Sequence, residues 1–126
     1  MQPLSPRIVE LLNDALTFEL TVTNTYFLHA RMLDSWGLGK LDKVFYDLSI
    51  DEMRDADALI GRILLFDGHP NVQRLGSITV GESAEEMLSL ALGSEKASVA
   101  AFNAAAQECH GPGDHGTPAR SRSEPS

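Results

Sequence analysis

The stretch that decides the fold is DEMRDAD (residues 51–57), near the middle of a chain of 126 residues. Glu52 and Asp55 stand three positions apart, and a helix places residues with that spacing on one face. Two carboxylates on one face can hold a metal ion, and they can equally form an acidic surface in contact with water. Met53 lies between them in sequence, and a helix would turn it toward a different side. The sequence on either side of this stretch helps to decide between a metal site and an acidic surface, and to assign a role to Met53.

The composition predicts a globular protein with one modest core. Apolar residues make up 43% and charged residues 22%, over a length that suits a single domain. The net charge of -8 argues against nucleic-acid binding. One cysteine, Cys109, excludes an internal disulfide and favours a reducing compartment. The sequence shows neither a signal-peptide pattern nor an apolar run long enough to span a membrane, so we expect a cytoplasmic location.

Apolar periodicity and capping residues predict three long helices, over about residues 6–33, 40–66 and 83–109. Ser5 before Pro6 is typical of a helix start, and Glu86 three residues after Ser83 completes a capping box. The Trp36-Gly37 pair is expected to end the first helix, with Gly37 at the position after the cap.

The connections predict how these helices are arranged. Residues 71–83 form a connector that is longer than a helix hairpin normally uses, so we expect it to cross the bundle from end to end. Residues 111–126 are rich in Gly, Pro and Ser and are expected to form a disordered tail after a helical domain over residues 1–110. The predicted fold is all-α, an antiparallel helical bundle with a long crossover after the second helix.

Each predicted helix carries one apolar seam at helical spacing, and each seam is interrupted by acid near its middle. The first seam is Leu12, Leu16, Glu19, Thr23, Tyr26, Ala30 and Leu33. The second is Leu41, Phe45, Leu48, Glu52, Asp55 and Leu59. The third is Leu88, Leu92, Glu95, Val99, Phe102, Ala106 and Cys109.

Four carboxylates in apolar seams predict a metal site. A buried carboxylate must be protonated, paired with a cation or bound to metal, because burying it alone costs several kcal/mol or more. No Lys or Arg occupies the seams near Glu19, Glu52, Asp55 or Glu95. Oxygen ligands suit ions such as Fe(II) and Mn(II), and a Glu from one helix with a Glu-x-x-ligand pair from another is the arrangement of di-iron carboxylate bundles. One such acid alone would more simply be a surface residue slightly out of phase, whereas three helices together favour metal.

Met53 lies on a second stripe of the second helix, with Tyr46, Ile50 and Ile60. The first helix has a comparable stripe at Leu20, Asn24 and Phe27. Two apolar stripes on one helix indicate that one faces the bundle and the other a partner. By this pattern alone, Met53 would serve packing.

At these residues the sequence resembles the bacterioferritins. The matching motifs are FELTVTNTYFLHARM (18–32), SIDEMRDAD (49–57), RILLFDGHPN (62–71) and IxxGExxEEML (78–88), in the family's order and spacing. The likeness runs over about residues 8–103. It implies a ferritin-like four-helix bundle with a short fifth helix and a hollow shell of 24 subunits. It also implies oxidation of Fe(II) at a di-iron centre inside each subunit, storage of the ferric product, and b-type haem at the twofold subunit interface.

The resemblance also implies roles for single residues. Glu19 and Glu95 would be terminal carboxylates and Glu52 the bridging carboxylate of the di-iron centre, where these three are the expected catalytic residues. Met53 would be the axial haem ligand. Tyr26 would be the phenol near the iron. The expected haem pocket is Leu20, Asn24, Phe27, Tyr46 and Ile50.

The sequence departs from the family pattern at the expected metal centre. Asp55 stands where the family places a histidine ligand. The fourth helix, which would bring a second glutamate and a second histidine, and the fifth helix are both missing, so the chain resembles a bacterioferritin truncated before its fourth helix. One side of every seam is therefore expected to face water. The chain alone is then expected to be unstable, to aggregate, or to depend on a partner that covers this side.

These departures leave several functions open. The first is ferroxidase and iron storage, carried by Glu19, Glu52, Asp55 and Glu95 and impaired by the incomplete site, so that enzymatic activity stays undecided. The second is a haem-binding or structural subunit of a mixed shell. The third is a truncated product with no function of its own. The expected partners are iron and like subunits, in a twofold dimer and a larger shell, and the sequence leaves open whether a small iron–sulfur ferredoxin docks.

Overall fold

The computed structural model describes residues 6–109 and consists there of three helices, α1 (Pro6–Ser35), α2 (Gly39–Leu65) and α3 (Ala84–Cys109). The predicted boundaries agree with these within two or three residues. The expected N-cap Ser5 and the expected tail over 111–126 lie outside the described residues. Within those residues, no helix combines the length and the apolar character needed to cross a membrane.

The ends of the helices follow their capping residues. Gly37 has a φ of +79°, and the N–H of Leu38 donates to the Leu33 carbonyl at 2.9 Å, which is the hydrogen bond that closes a helix after a left-handed residue. At the start of α3, the N–H of Glu86 donates to the Ser83 hydroxyl oxygen at 3.1 Å. Oε1 of Glu86 accepts from the N–H of Glu82 rather than from that of Ser83, so the predicted capping box forms with its return bond shifted by one residue.

Helix α1 is the centre of the described fold, since α2 and α3 both pack against it. The connector between α2 and α3 lies along another side of α1 and is held there by hydrogen bonds. The N–H of Asn71 donates to Oδ1 of Asn13 at 2.7 Å, and the N–H of Gly81 donates to Nε2 of His29 at 2.9 Å. Because the helix rises by about 1.5 Å per residue, these two contacts lie about 24 Å apart along α1. The predicted end-to-end crossover is confirmed.

Two apolar clusters fill the bundle. The first joins the beginning of α1 to the end of α2 and consists of Ile8, Leu12, Ala15, Leu16, Ala56, Leu59, Ile63 and Phe66. The second joins the end of α1 to the starts of α2 and α3 and consists of Val22, Tyr26, Ala30, Leu33, Phe45, Met87 and Ala91. Buried carboxylates lie between the two clusters along α1 and α2.

The predicted seams of α1 and α2 are largely confirmed, and that of α3 is partly wrong. All seven seam residues of α1 are buried. On α3, Leu88 and Leu92 are 46% and 60% exposed, and Met87, Ala91 and Ser98 are buried in their place. The contact face is turned by about 100°, or one residue, from the predicted stripe, because Met87 and Ala91 are buried one position before Leu88 and Leu92. The side chains of Phe102 and Cys109, two further residues of the predicted α3 seam, lie outside the described part of the structure.

The connector gives a test of the packing at Gly81. A Cβ atom there would lie 2.7 Å from Cγ of Met87 and 3.0 Å from the Met87 backbone nitrogen. We predict that Gly81→Ala lowers the free energy of unfolding by about 1–3 kcal/mol, the usual cost of overpacking. Gly61→Ala is the matched control, because nothing lies within 4 Å of its Cβ position, and in a helix interior it should stabilise by about 0.5–1 kcal/mol. Urea denaturation of both variants measures the difference, and equal effects would contradict the packing described.

Candidate metal centre

The candidate metal centre lies where the α1 and α2 seams meet, between the two apolar clusters. Glu19 and Glu52 are fully buried, and Asp55 is only 6% exposed. One carboxylate oxygen from each of these three residues lies within 4.8 Å of the other two. A cation with metal–oxygen bonds of about 2.1–2.4 Å joins oxygens up to about 4.2–4.8 Å apart. The three side chains can therefore share one ion with small adjustments.

Local sequence explains why these carboxylates meet. Glu52 and Asp55 lie on one face of α2 because they are three residues apart, and that face packs against the α1 seam. Glu19 lies between Leu16 and Thr23 on this seam, and both neighbours are buried. The apolar residues on either side fix the position of the helices, so the acids are brought into the core by the packing around them.

The fourth predicted ligand, Glu95, lies beside the three-residue group rather than within it. Glu95 is half-buried on α3, and its Oε2 accepts a hydrogen bond of 2.7 Å from the hydroxyl of Tyr26. Its carboxyl also interacts with that of Glu52 and contributes to the raised pKa of Glu52. Tyr26 thus connects the seam of α1 with the acid of α3.

Ser98 makes a polar contact with Glu19 that the sequence pattern did not predict. Its hydroxyl is buried and donates a hydrogen bond of 2.6 Å to Oε2 of Glu19. This bond fixes how the Glu19 carboxylate is turned. The available signal was the position of Ser98, three residues after Glu95, which puts the two on neighbouring parts of one face of α3.

The electrostatics of the centre are dominated by Glu52. Burial, followed by hydrogen bonding and charge repulsion with Glu19 and Glu95, raises the pKa of Glu52 to about 12. The Glu52 carboxyl therefore keeps its proton at neutral pH in the metal-free chain. A bound cation would replace that proton, because positive charge at the same place favours the ionised carboxylate.

The expectation that every seam would be open to water is wrong for α1 and α2. Both central glutamates are inaccessible to solvent, since the packing of three helices already covers them. Exposure is found instead on α3, at Leu88 and Leu92.

The residues expected to bind haem lie on the outside, on one surface shared by α1 and α2. Met53, Tyr46 and Phe27 are 52%, 46% and 50% exposed. The rings of Phe27 and Tyr46 contact each other, with centroids 6.3 Å apart. Asn24 is exposed on the same side, while Leu20 and Ile50 are half-buried. We call the surface made by Phe27, Tyr46 and Met53 the outer apolar face.

A buried carboxylate centre on an antiparallel helical scaffold defines the class of ferritin-like proteins, and the comparisons agree. The ferritin family model, described as a ferritin-like domain, matches residues 9–119. The bacterioferritin of Brucella melitensis is 39% identical over 110 residues, which are 87% of this chain and 68% of that protein.

Two further relatives match over a shorter stretch. The Mycobacterium leprae bacterioferritin is 49% identical over 81 residues, which cover 64% of this chain and 51% of that protein. The Streptomyces coelicolor bacterioferritin is 52% identical over 82 residues, 65% of this chain and 49% of that protein. The chain belongs to the bacterioferritin family and spans between about half and two thirds of the length of these relatives.

The raised pKa of Glu52 predicts that the metal-free protein loses stability as the pH rises. The folded chain holds a proton on Glu52 at pH values where the unfolded chain has released it, so the free energy of unfolding falls above the ordinary glutamate pKa and continues to fall toward pH 12. Glu52→Gln should raise the melting temperature of the metal-free protein near pH 8 and flatten its decline between about pH 6 and pH 9.

Asp57→Asn is the control for this measurement, because Asp57 is an exposed acid on the same helix. Its melting temperature should follow the wild-type pH dependence. Parallel melting curves for wild type and Glu52→Gln would show that Glu52 is ionised in the folded chain.

Proposed function

We propose that this chain is an iron-storage subunit of the bacterioferritin type, which takes up Fe(II) at the carboxylate centre, oxidises it and passes on the ferric product. The observation that carries the proposal is the meeting of three buried carboxylates between apolar clusters in a member of this family. A purely structural core would place apolar side chains there at lower cost.

The positions of the residues suggest which of them would bind iron and which would hold the iron-binding carboxylates in place. Glu19, Glu52 and Asp55 would bind the entering Fe(II), and Glu95 would close the centre from α3. Each Fe(II) that is oxidised loses one electron to a dissolved oxidant, and the ferric product carries more positive charge. The carboxylates stabilise that charge, because anionic oxygen ligands favour the more highly charged ion. Ser98 and Tyr26 would hold Glu19 and Glu95 in place while the charge changes.

Iron oxidation tests this proposal directly. Glu52→Gln should slow the formation of ferric product by about tenfold or more, as the loss of a ligand or its support typically does. Asp57→Asn should leave the rate unchanged, because it removes an exposed acid from the same helix. The measurement is the absorbance of ferric product after addition of Fe(II) in air. If Glu52→Gln oxidises iron as fast as wild type, the proposal is wrong.

A second function is favoured by the outer apolar face. We propose that two copies of the chain meet through this face and bind a b-type haem between them, and that the Met53 sulfur of each copy would hold it. A half-exposed methionine beside two exposed aromatic rings offers a thioether donor and flat apolar contacts, which suit a haem. When bound, the haem would supply one-electron transfer.

The haem proposal is tested by replacing methionines on different faces. Met53→Leu should abolish haem binding, measured as the Soret band of the reconstituted protein, and should leave iron oxidation unchanged. Met32→Leu is the control, since Met32 is half-buried and packs against the second apolar cluster. Equal haem content in the two variants would exclude Met53 as the ligand. Haem binding by a protein that fails to oxidise iron would favour a haem-binding or structural subunit.

A further inference from the structure

Within the described part of the chain, the carboxylate centre is composed of oxygen donors alone. Among residues 6–109, the group of side chains close enough to share an ion contains Glu19, Glu52 and Asp55 and neither histidine nor cysteine. The buried histidine of α1, His29, is engaged elsewhere, with its Nε2 accepting from the N–H of Gly81 and its ring packed edge-on against Phe45. Its pKa is lowered by burial, so it stays neutral beside the connector.

Asp55 occupies the position that determines this donor set. It lies one turn after Glu52 on the same face of α2, it is almost fully buried, and its carboxylate completes the group of three. A histidine at this position would offer an imidazole nitrogen in place of the oxygen. The residue at position 55 therefore decides whether the centre has mixed or purely oxygen ligands.

Donor type decides which ions a site prefers. Carboxylate oxygens suit Mn(II), Mg(II) and Ca(II), whereas imidazole suits Zn(II), Cu(II) and Ni(II). Zn(II) binds most sites more tightly than Mn(II), and nitrogen ligands widen that difference. A centre with oxygen ligands alone makes the difference between the Zn(II) and Mn(II) affinities smaller. The ratio of these two affinities therefore indicates whether the ligands include nitrogen.

We propose that Asp55 is the residue that sets metal selectivity in this chain, making the centre one for oxygen-preferring divalent ions, Mn(II) together with Fe(II), with little preference for Zn(II). This inference rests on the proposed function in assuming that the three carboxylates bind metal. It adds Mn(II) to Fe(II) as an ion that the centre binds, and it assigns the selectivity between metal ions to the Asp55 side chain.

The test compares Mn(II) and Zn(II) dissociation constants of the full chain, without haem, by competition with a chelating dye and by the electron paramagnetic resonance signal of free Mn(II). Asp55→His should tighten Zn(II) binding by about tenfold or more and change Mn(II) binding little, so that the affinity ratio rises by about the same factor. Asp57→His is the matched control, because that side chain is exposed on the same helix, and its ratio should equal that of wild type.

The outcomes separate this inference from the function it rests on. If wild type binds both ions and Asp55→His leaves the ratio unchanged, the selectivity inference is overturned and the metal centre stands. If wild type binds neither ion, both fail. If Asp55→His does not fold, Asp55→Asn is used instead to test whether Asp55 binds the metal ion. This variant keeps an oxygen donor without its charge and should weaken both ions by a similar factor of about ten or more, whereas unchanged binding would show that Asp55 is not a ligand.

Discussion

The burial of Glu19, Glu52 and Asp55 in one apolar core is the constraint on which the rest of the structure depends. Each ionised carboxylate in such a place would cost several kcal/mol without a compensating charge or hydrogen bond. The described chain reduces that cost by keeping a proton on Glu52 and by placing the Ser98 hydroxyl against Glu19. The cation of the proposed function would compensate the remaining charge, because a positive ion at this place favours the ionised carboxylates.

Helix α1 positions the carboxylate centre because one of its sides packs against α2 and α3 while another side binds the connector. One side carries the seam with Glu19 and meets the α2 carboxylates and the Ser98 hydroxyl of α3. Another carries Asn13, Thr21 and His29, which accept hydrogen bonds from backbone N–H groups of the connector. These bonds satisfy a long stretch of backbone that has no helix of its own, and they bring the start of α3 to the far end of α1. The position of Glu95 beside Tyr26 follows from that crossover.

The sequence predicted most of this fold because its strongest signals are periodic and local. The α1 seam combines large apolar residues at strict spacing, and the turns at Gly37 and Ser83 have specific capping chemistry. The apolar pattern predicted the wrong face of α3, since Leu88 and Leu92 form a more apolar stripe than Ala91 and Ser98, which are the buried residues. Small residues carry little hydrophobic signal, yet they determine how closely two helices approach. Ser98 and His29 were missed because their partners lie more than fifty residues away in sequence.

The two neighbours Glu52 and Met53 show how one helix can serve two surfaces. Successive residues of a helix are turned by about 100°, so Glu52 is fully buried while Met53 is half-exposed on the outer apolar face. The register of α2 is fixed by its core packing, through Phe45, Leu59 and Ile63, and cannot change for one surface without changing for the other. A ligand on the outer face would therefore bind to a helix whose rotation the core already fixes, and the same rotation points Glu52 at Glu19. The proposed haem site and the proposed metal centre therefore both depend on the same turn of α2, which is the DEMRDAD segment (residues 51–57).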